Sequence, residues 1–208
     1  MNLPEGVTRR IVLIRHGEPE ASAKGRCYGK LDVGLSEKGK WQIERTARLL
    51  KRFEIAAIYS SPRVRATESA KIIAEKYNLT IETREDFAEI DFGDFEGLEY
   101  AEVERRFPEI YRKWMDAPTT VEFPNGESFA RMQTRVLRAA DELKRRHANE
   151  TFAVVSHGGA NRIVLANALG MRNDDIFRLA QDYATANVVD FYGEFPVVKL
   201  MNLTAENS

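Results

Sequence analysis

Two hydrophobic periods alternate along the chain. Residues 10–14 (RIVLI) form a short, uninterrupted β-branched run, the pattern of a strand buried on both faces. Helical spacing follows over 36–53, opened by Ser36, with Trp41, Thr46, Leu49 and Leu50 predicted on one side. Residues 56–59 (AAIY) read as a second strand. Pro62 opens a second helix over 62–77, where Ala66, Ala70, Ile73 and Tyr77 recur at helical spacing. A weaker third strand is expected at 80–83. Between 97 and 126, two short helical pieces flank Pro108, and a loop with Pro118 and Pro124 follows. A long amphipathic helix is predicted over 128–146, a buried strand at 151–155 (TFAVV), a helix over 159–169, and closing strands at 186–191 and 197–201. Strands that alternate with helices predict an α/β fold, a three-layer α/β/α domain with a mostly parallel sheet. In such sheets the site lies beyond the carboxyl ends of the strands.

Composition narrows the function classes. The chain has 208 residues with 31 Lys+Arg against 32 Asp+Glu, which excludes a dedicated nucleic-acid binder. No repeat or linker divides it, so one domain over 1–208 is expected. No run approaches the roughly 18 apolar residues of a membrane span, and the first residues lack a secretory cleavage pattern. The single cysteine, Cys27, excludes an internal disulfide framework and favours a reducing, cytoplasmic location. The cluster Lys144, Arg145, Arg146 and His147 reads as a solvated helix end that complements the helix dipole.

Candidate chemistry gathers after the strands. Arg15, His16, Gly17 and Glu18 follow the first buried run; Arg15 is a candidate phosphate clamp and His16 a candidate nucleophile. The alternative is a turn with a solvated arginine and a hydrogen-bonded histidine. Ser156, His157, Gly158 and Gly159 repeat the design after TFAVV, where an opening helix offers free N–H groups to an anion. Of three histidines in the chain, two occupy this strand–His–Gly setting, which favours a shared role. Arg63 and Arg65 lie in the first turn of the second helix, against the helix dipole; a bound anion would compensate, as would pairing with Glu68. Glu89, Asp91, Asp94 and Glu96 alternate with apolar residues and glycines, and one carboxyl in a partly apolar setting could serve as a general acid. Their spacing does not fit an EF-hand, and no HExxH pattern accompanies the histidines, so neither metal nor cofactor is expected.

Taken in order, these segments resemble the histidine phosphatase superfamily, also called phosphoglycerate mutase-like. The resemblance rests on Arg15 to Glu18; on Gly25, Arg26 and Gly29 through Leu35 and Ser36; on Ser60 to Ala70; on Glu89 to Gly97; on Gly126, Glu127 and Ser128; and on Val155 to Gly159. It covers roughly residues 10–190. The chain departs from the family pattern at Pro19, where threonine is usual, and at Ser22, where asparagine is usual.

The resemblance implies the superfamily's fold and a phosphomonoesterase acting through a phosphohistidine on a small phosphorylated metabolite. It assigns phosphorylation to His16, phosphate binding to Arg15, Arg65 and His157, and proton donation to Glu89, with Glu96 as a second candidate. Ser22, Arg26 and Gly158 are implied in substrate or phosphate binding, and residues 97–126 in a cap over the pocket. Within the family the chain is closer to the small phosphatases, such as alpha-ribazole phosphatase and broad-specificity enzymes, than to the mutases, which carry a longer insertion. A cofactor-dependent phosphoglycerate mutase and an inactive binding or regulatory protein on the same fold are the alternatives. No nucleic-acid or membrane partner is implied, and a homodimer is left open.

Overall fold

A computed structural model describes residues 3–204. Its sheet comprises β1 (Arg9–Arg15), β2 (Ile55–Ser60), β3 (Ile81–Thr83), β4 (Thr151–Ser156), β5 (Ala186–Tyr192) and β6 (Phe195–Leu203), in the order β3-β2-β4-β1-β5-β6. The first four strands of that order pair in parallel, while β5 runs antiparallel to β1 and β6 antiparallel to β5. The sheet is thus mostly parallel, as expected, with an antiparallel edge made by the two closing strands. Parallel pairing of β1 with β4 puts Arg15 opposite Ser156. The next residues, His16 and His157, therefore leave the sheet side by side.

Helices cover both faces: α1 (Glu37–Leu50) and α2 (Val64–Tyr77) on one, α5 (Phe129–Arg146) and α6 (Gly158–Ala168) on the other. The alternation within β1 shows why. Ile11 and Leu13 pack with Met132, Val136, Leu143 and Ile163 on the α5/α6 side. Val12 and Ile14 pack with Ile43, Leu50, Ala70 and Ile73 on the α1/α2 side. Each fully buried aliphatic side chain contributes roughly 1.5–3 kcal/mol. A third cluster lies apart from the sheet. There Cys27, Phe95, Val103, Val121 and Phe123 gather the aromatic residues of α3 (Tyr100–Arg106), α4 (Pro108–Asp116) and their flanks. Burial pushes the Cys27 thiol up to about 12, so it behaves as a small apolar core residue.

The serine caps are those the sequence announces, and α2 begins at Val64, with Arg63 rather than Pro62 at its entry. Ser36 and Ser128 accept the amides of Gly39 and Arg131 at the starts of α1 and α5, and Pro108 occupies the first turn of α4. Two further expectations need correction. Trp41 is 46% exposed; the buried stripe of α1 is Gly39, Ile43, Thr46, Ala47 and Leu50, and Trp41 lies on the opposite side, stacked on Arg45. His147 is not part of a solvated helix end. It is buried, with one ring nitrogen 2.7 Å from the Tyr59 hydroxyl and the other 2.7 Å from Glu150. Charged neighbours on the same turn hid the inward direction of its side chain. Among the described residues, no helix is long and apolar enough to cross a membrane.

Candidate active site

The carboxyl ends of β1, β2 and β4 open onto a cavity of about 260 Å³. Arg15, His16, Arg65, Glu89, His157, Gly158 and Gly159 line its floor and near wall, and Tyr28, Phe92, Tyr100, Trp114, Phe123 and Phe177 supply much of the rest.

His16 is held from four directions. Its amide donates to Ser156 O, and its carbonyl accepts from the Ala184 amide. Its ring lies 5.1 Å from the His157 ring, and its Nδ1 is 2.7 Å from Gly17 O. A carbonyl can only accept, so Nδ1 carries the proton and the neutral ring keeps its lone pair on Nε2. Burial, reinforced by the Arg15 and Arg65 guanidiniums, holds the His16 pKa well below its ordinary value. Neutral imidazole is therefore the resting form. Gly17 makes the turn possible, because a Cβ there would meet Gly39 O at 2.4 Å.

Arg15 donates to Gln181 O and lies over the Tyr183 ring at 4.1 Å. Arg65 is fully buried, which is unusual for arginine, and it donates to the carbonyls of Leu31, Gly29 and Tyr28 at 3.0, 2.8 and 3.3 Å. Its carbonyl accepts from Ser69 Oγ, which in turn accepts the Gly17 amide, so α2 and the His16 turn are tied together. Both arginines keep a buried Nε with no protein hydrogen-bond partner, and so does Nδ1 of His157. Unpaired buried donors are costly, and several around one cavity point to an anionic ligand.

His157 forms the N-cap of α6, with Nε2 2.7 Å from Ser61 Oγ. Burial, reinforced by the charges of Arg65, Arg15 and Arg63, holds its pKa well below the ordinary value. Glu89 accepts the Gly159 amide on Oε2 and the Ile90 amide on Oε1, each at 3.0 Å. These bonds fix its carboxyl at the start of α6.

The remaining sequence-derived candidates separate. Gly158 lies in the cavity wall. Arg26 also lines the cavity, but its guanidinium is committed to Gly97 O at 2.7 Å and Glu99 at 3.0 Å. Ser22 is exposed in the short turn Ala21–Ala23 and does not line the cavity, while Pro19 is buried in a bridge to Leu35. Glu96 accepts backbone amides from Gly29, Lys30, Leu31 and Phe92. Arg63 pairs with Glu85, not Glu68.

Several contributors were missed. Tyr28 and Tyr183 bond to each other at 2.8 Å and lie against Arg65 and Arg15. Tyr183 has no local signal, since only the β5 fold-back brings it to His16. Arg162 lines the wall one helical turn beyond Gly158, an i, i+4 relation that the helical pattern could have revealed.

A neutral imidazole ringed by guanidinium and amide donors suits a tetrahedral oxyanion. Set in this α/β/α frame, it marks an enzyme of phosphoryl chemistry. The profile of the histidine phosphatase superfamily (branch 1) matches residues 11–204, and the chain belongs to that superfamily. It is 36% identical over 195 residues to phosphoserine phosphatase 1 of Hydrogenobacter thermophilus, a match spanning 94% of this chain and 92% of that relative. Among solved structures, it is similar to a putative alpha-ribazole-5'-P phosphatase from Escherichia coli, with a TM-score of 0.87 and 25% identity, covering 94% of this chain and 97% of the other. It is also similar to YhfR of Bacillus stearothermophilus, with a TM-score of 0.89 and 28% identity, covering 95% and 98%. The chain is a phosphatase of this superfamily.

Proposed function

We propose that the protein is a metal-independent phosphomonoesterase that hydrolyses a small phosphorylated metabolite through a phosphohistidine on His16. The observation that carries this reading is the hydrogen bond from Nδ1 of His16 to Gly17 O, which leaves Nε2 unprotonated inside a ring of unpaired donors. Nε2 attacks phosphorus in line as the bond to the leaving oxygen breaks, and Glu89 delivers a proton to that oxygen. Arg15, Arg65 and Nδ1–H of His157 hold the equatorial oxygens and stabilise their charge. In the second step water attacks the phosphorus. Glu89 takes its proton, the N–P bond breaks, and phosphate leaves with His16 neutral again.

The relatives named for phosphoserine and alpha-ribazole phosphate are named for small phosphomonoesters, in keeping with a cavity of about 260 Å³. Residues 97–126 serve as the cap over the leaving group, contributing Tyr100, Trp114, Pro118 and Phe123 to the wall.

The test is a rapid quench with phosphorus-labelled substrate. The wild type should yield an acid-labile, base-stable protein adduct, and His16→Ala should yield none and turn over no substrate. Label that persists on the His16→Ala protein would reject the assignment.

A further inference from the structure

The cavity holds a fourth cation that the proposed chemistry does not use. Arg162 projects from α6 with its Nε donating to Leu179 O at 2.8 Å and its guanidinium over the Phe177 ring at 5.6 Å. Among the described residues, its two terminal nitrogens have no hydrogen-bond or ion-pair partner, whereas the guanidinium of Arg26 is bonded to Gly97 and Glu99. The fork is thus anchored at one edge, and its other edge remains available.

Its place on the wall says which part of a substrate it faces. A Cβ built on Gly158 would lie 3.0 Å from one terminal nitrogen of Arg162 and 3.6 Å from Nε of Arg15. A Cβ on the next residue, Gly159, would lie 2.2 Å from the Glu89 carboxyl. Gly158 thus leaves room between Arg162 and Arg15, and Gly159 leaves room for the Glu89 carboxyl. Arg162 faces Arg15 across Gly158, with Glu89 near enough to act on its charge, and it borders the cavity between the phosphate clamp and the proton donor.

Charge points the same way. The cavity-lining residues include Arg15, Arg26, Arg65 and Arg162 but only one carboxylate, Glu89. With Arg26 paired to Glu99, three guanidiniums remain. A phosphomonoester dianion matches Arg15 and Arg65. Glu89 and Asp182 act on the Arg162 charge, but neither is bonded to its terminal nitrogens. The free edge formed by the two terminal nitrogens of a planar guanidinium fits a carboxylate bidentately.

We infer that Arg162 forms an anion subsite for the leaving group, and that the preferred substrates are small phosphomonoesters with a carboxylate a few atoms from the ester oxygen. This rests on the phosphomonoesterase reading above. It assigns selection among phosphomonoesters to a residue that takes no part in the phosphoryl transfer itself.

The experiment compares two esters on the same three-carbon skeleton, 3-phosphoglycerate and glycerol 3-phosphate, which differ by a carboxylate in place of a hydroxymethyl group. Wild type should show the higher kcat/KM on 3-phosphoglycerate. Arg162→Gln should lower kcat/KM for that ester by roughly 10²-fold, mainly through KM, and at least tenfold more than for glycerol 3-phosphate. Arg162→Lys should restore part of the difference. Inorganic phosphate binding, measured by calorimetry on each variant, confirms an intact pocket. Equal losses on the two esters would make Arg162 a phosphate ligand and overturn the inference, as would a wild type that does not discriminate. Phosphate release from p-nitrophenyl phosphate, run alongside, separates the two readings. If wild type releases it, absent discrimination counts against the subsite alone; if not, the phosphomonoesterase reading falls and the subsite with it.

Discussion

Glu96 and Arg65 grip opposite sides of one turn. The Glu96 carboxylate accepts the amides of Gly29, Lys30 and Leu31 at 2.8–3.1 Å, while Arg65 donates to the carbonyls of Tyr28, Gly29 and Leu31. The turn is thus a strap that Glu96 folds and that Arg65 is seated on. This arrangement explains why Glu96, a plausible acid from its spacing, is occupied elsewhere.

Glu96→Ala should therefore act as a positioning defect. It leaves several amides of a half-buried turn unpaired, for a loss of about 2 kcal/mol in unfolding free energy. Activity should fall by the same factor on p-nitrophenyl and alkyl phosphates, because the role proposed for Arg65 concerns the phosphoryl group common to both. Denaturant titration and paired kinetics check this. A loss confined to the alkyl ester would return Glu96 to the role of acid.

Glu89→Gln should behave in the opposite way. Loss of a general acid slows turnover by roughly 10²–10⁴-fold on an alkyl phosphate. The loss should be much smaller on p-nitrophenyl phosphate, whose leaving group needs little protonation. Parallel losses on the two esters would tell against the proton-transfer role.

Burial and two neighbouring guanidiniums depress the His16 pKa, and the sign of the consequence for stability can be stated. In the unfolded chain a histidine takes up its proton near pH 6.5. In the folded protein His16 refuses it until well below that pH, so between the two values the unfolded state binds more protons. Stability is then unaffected by His16 above pH 6.5 and declines as the pH falls below it. The drop in urea midpoint from pH 7.5 to pH 5.5 should be smaller in His16→Asn than in wild type. Equal drops would contradict a depressed pKa.

Most of the frame was legible because local and global signals agree. Runs such as RIVLI and TFAVV are apolar throughout since helices cover both faces of their strands, and serines stand where α1 and α5 begin. His16, His157, Arg15 and Arg65, which the cavity brings together with Glu89, were legible from two strand ends and a helix start, whereas Glu89 was singled out among four carboxylates only by the family resemblance. What escaped depends on tertiary geometry. The exposure of Trp41 follows from a stripe centred on Ile43, one that a large aromatic side chain outweighs on simple inspection. Tyr183 reaches His16 only because β5 turns back against β1, a pairing that strand propensity does not encode.

Arginines are assigned the charge stabilisation that a divalent ion supplies in other phosphatases, so a chelator should leave kcat unchanged. Vanadate, which mimics trigonal-bipyramidal phosphorus, should inhibit at concentrations well below KM. Loss of activity on chelation, restored by one divalent ion, would require a different chemistry.

Gly159→Ala should separate catalysis from stability. The added methyl would meet Glu89 Oε1 at 2.2 Å and the end of the Met132 side chain at 3.2 Å. Both are the far ends of flexible side chains, so the protein can accommodate the methyl by moving them. Alanine also favours the helix by up to about 1 kcal/mol over glycine, which offsets the displacement. Unfolding free energy should therefore change by no more than about 1 kcal/mol. The Glu89 carboxyl, however, must swing away from the amide that fixes it, and the proton donor is then misplaced. The expected result is a stable protein with the Glu89→Gln signature: a large loss on alkyl phosphates and a small one on p-nitrophenyl phosphate. A Gly159→Ala enzyme with normal turnover of alkyl phosphates would show that the position of Glu89 does not limit the reaction.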